Sequence, residues 1–99
     1  MIDHIVLLRF GDHALPEDIA ALGREIEQLV DRIDGVEAVR WGPSSSPEGL
    51  ERGYTHGFVM RLRDDAARDV YLPHPAHVAV SDSIRRLSAD VLVFDVSSG

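Results

Sequence analysis

The chain contains no cysteine and no lysine. Without cysteine there are no disulfides, no thiolate metal centres and no cysteine nucleophile. Without lysine there is no Walker-type phosphate loop, which needs a Gly-Lys pair. The serine-rich stretch "GPSSSPEG" (residues 42–49) therefore reads as a lid or a plain connection. No Gly-x-Ser-x-Gly occurs either, which removes the serine-hydrolase elbow. Aromatic residues are scarce, at 6%. The 10 basic residues, all arginine, are outnumbered by 17 acidic ones, and the formal net charge is -7. Such a surface repels phosphate backbones and anionic lipid, so neither nucleic acid nor membrane is an expected partner. The apolar run "IVLLRF" is too short to span a bilayer. Asp3 and His4 stand where a secretory leader would be basic. The expectation is a cytoplasmic protein. Arginine used to the exclusion of lysine, beside abundant alanine and aspartate, suggests a GC-rich bacterial source.

What remains is ordinary globular material: 99 residues, 44% of them hydrophobic. That length predicts a single domain over residues 1–99. "MIDHIVLLRF" reads as a strand that is apolar on both faces, His4, Val6, Leu8 and Phe10 on one and Ile5 and Leu7 on the other. "LPEDIAALGREIEQLVDRIDG" (15–35) reads as one helix. Pro16, Glu17 and Asp18 suit its first turn, and Ile19, Leu22, Ile26, Leu29, Val30 and Ile33 form its apolar stripe. Gly23 inside it should cost about 1 kcal/mol relative to alanine. "VEAVRWG" and "YTHGFVMRLR" (54–63) read as strands. "DDAARDVYL" is a short helix with Asp64 as N-cap, stopped by Pro73. "PAHVAVSDSIRRLSA" (75–89) restarts as a helix, and "DVLVFDV" closes as a strand. The order is that of an α+β, ferredoxin-like βαββαβ fold, an antiparallel sheet with helices on one face. The second sheet face would then expose apolar side chains, which predicts a homodimer joined through its sheet faces.

The residues able to carry chemistry are His4, His56, Tyr71, His74, His77 and Asp95. A carboxylate between Phe94 and Val96 needs a partner, and histidine is the natural one. Tyr71 and His77 flank the proline break, where a bend could bring phenol and imidazole together as acid, base and oxyanion donor. Alternatively His77 caps or packs and Tyr71 fills the core. His74 and His77, at i, i+3, could also clip a metal, although no zincin-type spacing occurs and no metal site is assigned. His74 by itself suits a turn or cap.

"HIVLLRF" (4–10), "GYTHGFVMRLRDDAARDVYLPHPAHVAV" (53–80) and "VLVFDV" (91–96) together resemble the stress-responsive α/β-barrel (Dabb) family, end to end and in order. The resemblance implies a dimeric α+β barrel in which each subunit keeps a cavity between sheet and helices. Most members have no assigned reaction. One is a polyketide cyclase that performs an intramolecular aldol condensation without a cofactor. "VYLPHPAHV" is similar to that enzyme's active-site segment. The resemblance implies Tyr71 and His77 as a catalytic pair, Asp95 as the carboxylate orienting the histidine, and His4 and His56 as binding residues. It implies a small apolar or carbonyl-containing ligand and no cofactor. Ser88 stands where the cyclase has a tryptophan, and the first helix lacks the cyclase's aromatics, so the lining of the cavity differs. Two functions follow. One is a cofactor-free cyclase or aldolase-type enzyme. The other is a non-catalytic stress-response dimer whose His, Tyr and Asp network stabilises the barrel.

Overall fold

The computed structural model describes residues 1–98. Four strands form one antiparallel sheet in the order β2-β3-β1-β4: β1 (Ile2–Phe10), β2 (Val36–Pro43), β3 (His56–Leu62) and β4 (Ser88–Ser97). The helices are α1 (Pro16–Glu27), α2 (Leu29–Arg32), α3 (Asp65–Tyr71) and α4 (Pro75–Leu87). This is the expected βαββαβ order. All four helices belong to one side of the sheet, where Ile2, Val6, Leu8, Phe58, Met60 and Leu62 meet Leu22, Ile26, Leu29, Val80, Ile84 and Leu87 in a single core. No helix among the described residues is long and apolar enough to cross a membrane.

The expected first helix is two helices. The stripe Leu22, Ile26, Leu29 and Ile33 is buried throughout, but the chain tightens at Gln28, where Asp31 N–H bonds back to the Gln28 carbonyl at 3.1 Å. That i→i+3 turn is a short 3₁₀-like step. Gly35, at φ +93°, then makes the left-handed turn into β2 that a side chain would resist. Gly23 is a docking notch rather than a flaw. A Cβ there would lie 2.3 Å from the Trp41 indole nitrogen.

Two boundaries differ from expectation. Tyr54 and Thr55 precede β3, and the Tyr54 hydroxyl turns to the Asp90 carboxylate. Ser88 and Ala89 leave the helix and begin β4, with Ser88 paired to Phe10 at a bulge. Asp64 caps α3 as expected, its Oδ1 accepting from Ala67 N–H at 2.8 Å.

The face away from the helices shows the two-sided apolar character of the strands. Leu7, Val59, Leu92, Phe94 and Val96 lie on it and are all exposed, Phe94 at 66%.

Candidate active site

The break between α3 and α4 builds the site. Proline cannot donate a backbone N–H, and the residue before it avoids the helical region. Pro73 and Pro75 therefore end one helix and open the next. His74 is the N-cap of α4, its Nδ1 accepting from Ala76 N–H at 3.1 Å. Its role is the structural one expected of a turn or cap residue.

Tyr71, the last residue of α3, is 1% exposed, and its ring centroid lies 4.3 Å from that of His77 in the first turn of α4. His4, at 4% exposure on β1, meets the same tyrosine edge-on at 5.6 Å. These groups line a cavity of about 250 Å³ between sheet and helices. Its other walls are mainly apolar, among them Val6, Phe58, Val80, Ile84 and Val91, with Ser81 and Arg85 adding polar atoms.

The hydrogen bonds fix the protons. His77 Nδ1 is 2.8 Å from the Leu72 carbonyl oxygen, which can only accept. Nδ1 therefore carries the hydrogen, and in the neutral ring Nε2 presents a lone pair. Burial lowers the His77 pKa from its ordinary value. The Leu72 bond opposes that shift, while His4 and Arg85 add to it. Burial, with the nearby Asp95 charge, raises the Tyr71 phenol well above its ordinary value, so it stays protonated. A neutral imidazole base beside a phenol donor is a competent acid–base pair.

Asp95 is placed differently from expectation. It does not hold His77. Its Oδ1 accepts from His4 Nδ1 at 2.6 Å and its Oδ2 from Arg68 Nη1 at 3.0 Å. The cause is register: His4 and Asp95 are direct cross-strand partners on β1 and β4. Burial would raise the Asp95 carboxyl, but the His4 and Arg68 contacts outweigh it and hold the pKa below its ordinary value.

His56 is also displaced from the expected set. It pairs with Leu8 whereas His4 pairs with Met60, four residues along β3, which is about 13 Å of strand. It stacks on Trp41 at 5.6 Å and meets Phe10 edge-on at 5.3 Å. It lines a separate, open recess of about 590 Å³ that Leu7, Val59 and Leu92 of the outer sheet face also line. Ser88 does not line the Tyr71–His77 cavity. Among the described residues no three His, Asp or Glu side chains gather as a metal-binding group.

Sequence reasoning passed over Arg68. The signal was available, because Arg68 precedes Tyr71 by three residues on one helix and so shares its face. The Leu72 carbonyl could not have been foreseen, since backbone acceptors carry no side-chain signature.

Residues 2–98 match the family described as the stress responsive A/B barrel domain. The stress-response A/B barrel domain-containing protein HS1 of Arabidopsis thaliana is 35% identical over 95% of this chain and 86% of its own. Olivetolic acid cyclase of Cannabis sativa is 28% identical over 95% of this chain and 93% of its own. A dimeric ferredoxin-like protein of unknown function from Jannaschia has the same fold, with a TM-score of 0.88 at 24% identity over 98% of both chains.

Proposed function

The chain belongs to the stress-responsive A/B barrel (Dabb) family, and from that premise we propose that it is a homodimeric small-molecule-binding barrel working as a cofactor-free acid–base enzyme of the cyclase or aldolase type. One observation carries the proposal. The Tyr71 phenol and a His77 imidazole with Nε2 unprotonated line one mainly apolar cavity. The similarity to a cyclase supports the same reading.

The chemistry needs only this chain's groups. His77 Nε2 takes a proton from the carbon next to a substrate carbonyl. The Tyr71 hydroxyl donates a hydrogen bond to the enolate oxygen that forms. The enolate carbon then bonds to a second carbonyl carbon, and the alkoxide produced there takes the proton back from the His77 imidazolium. The apolar walls exclude water and hold the two carbonyl groups close together.

The test is deuterium incorporation at the α-carbon of a medium-chain methyl ketone in D₂O. The wild-type protein should accelerate exchange above buffer. His77→Ala and Tyr71→Phe should each lower the rate by about 10²–10⁴-fold with circular dichroism unchanged. Wild-type exchange at the buffer rate, or undiminished exchange in both variants, would defeat the proposal.

One observation favours the non-catalytic reading. Asp95 joins β1, β4 and α3 through His4 and Arg68, which is how a stabilising tie would be built. On that reading His77→Ala and Asp95→Ala chiefly lower the melting temperature, because a buried group left without its partner costs about 1–3 kcal/mol.

A further inference from the structure

Asp95 divides its two oxygens between two elements. Oδ1 faces His4 on β1, and Oδ2 faces Arg68 on α3. All three side chains are at least partly shielded: 6% exposed for His4, 25% for Asp95 and 30% for Arg68. Arg68 is held from its other side as well, Nη2 lying 3.7 Å from Asp65. The guanidinium thus lies between two carboxylates, Asp95 and Asp65. Its Nη1–H bond to Oδ2 favours one orientation of the Asp95 carboxylate, with the remaining oxygen aimed at His4 Nδ1.

We propose that Arg68 is a positioning residue: by pinning the Asp95 carboxylate it holds His4 in its Nδ1–H form, with Nε2 as a second proton acceptor of the Tyr71 cavity. His4 would then serve a second carbonyl or proton on the sheet side, while His77 works from the helix side. The use of that second acceptor rests on the acid–base reading of the cavity. The relay itself is a property of the resting protein. The charged and titratable groups around it are Asp95 on β4, Arg68, Asp65 and Tyr71 on or beside α3, and His77 and Arg85 on α4.

Nuclear magnetic resonance of the full chain, labelled with ¹⁵N-histidine and ¹³C-aspartate, tests the relay without a substrate. In the wild type, the His4 nitrogens should show the separated signals of a fixed Nδ1–H tautomer, and the Asp95 carboxyl should titrate below the ordinary aspartate range. Arg68→Gln keeps a hydrogen-bonding side chain but removes the charge. It should raise the Asp95 midpoint by about one unit or more and move the His4 nitrogen signals toward the average of two exchanging tautomers. Arg68→Lys restores charge without the planar fork and should fall between the two. Unchanged His4 signals in Arg68→Gln, or an unchanged Asp95 titration, overturn the proposal. If Arg68→Gln does not fold, wild-type values for both signals in Arg68→Lys overturn it. Failure of the ketone exchange would defeat the acid–base reading and leave this measurement valid, because it reads no turnover.

Discussion

His4 and His77 use Nδ1 on different acceptors, a carboxylate and a backbone carbonyl. The surroundings of His77 and of Asp95 set how stability changes with pH. For His77, burial lowers the folded pKa below the ordinary 6.5. The unfolded chain then binds more protons than the folded one near that pH, and stability falls as pH falls through about 6.5 toward the lowered folded value. His56, also lowered by burial, adds to the same window. Asp95 acts in a separate, more acidic window. Its depressed carboxyl stabilises the fold above the ordinary 3.8, and that contribution is lost as pH falls through the folded value. Melting curves from pH 7.5 to 5 should therefore slope downward for the wild type and be flatter for His77→Gln. An equal slope in both would show that His77 is not held neutral by the fold. The nearness of Tyr71 to His77 and the His74 cap were legible in the sequence because the proline-framed segment is local. The partner of Asp95 was not, because only the β1–β4 register places His4 opposite it.

At the scale of elements, the strands, the order and the proline-framed helix break could be read from periodicity and turn chemistry. What could not be read was where distant elements touch. Gly23 is the clearest case. In isolation it weakens a helix, and alanine should improve it by about 1 kcal/mol. In the fold, a methyl group at that position would lie 2.3 Å from the Trp41 indole nitrogen. Moving Trp41 aside would disturb its stacking on the His56 ring, whose centroid is 5.6 Å away. Overpacking of this kind costs about 1–3 kcal/mol and should outweigh the propensity gain. Gly23→Ala is thus expected to lower the melting temperature by a few degrees and to shift Trp41 fluorescence. A higher melting temperature would mean that the α1–β2 contact is loose. The split between α1 and α2 is instead local. The apolar stripe runs through it unbroken, so periodicity alone gives one helix, and only the tightened turn at Gln28 divides it.

For the whole molecule, the sheet separates two tasks. The helix side carries the core and the Tyr71 cavity. The opposite side carries a run of exposed apolar residues, Leu7 and Val59 beside Leu92, Phe94 and Val96. A patch of that kind on a small acidic chain calls for a cover, and a second copy placed face to face supplies one with two-fold symmetry. The wild type should therefore sediment at twice the 10.9 kDa chain mass. Phe94→Asp puts a charge on the outer face, and two-fold symmetry places it twice in the same interface. It should shift the protein to monomer while circular dichroism keeps its helical and strand signal, because Phe94 points away from its own helices. A monomeric wild type at working concentration would remove the dimer, and a Phe94→Asp protein that stays dimeric would place the interface elsewhere. Because Tyr71 and His77 meet between α3 and α4, on the opposite side of the sheet from Phe94, the monomeric variant should still catalyse ketone exchange. Loss of exchange together with dimerisation would mean that the partner closes the mouth of the cavity or steadies α3 and α4 around it.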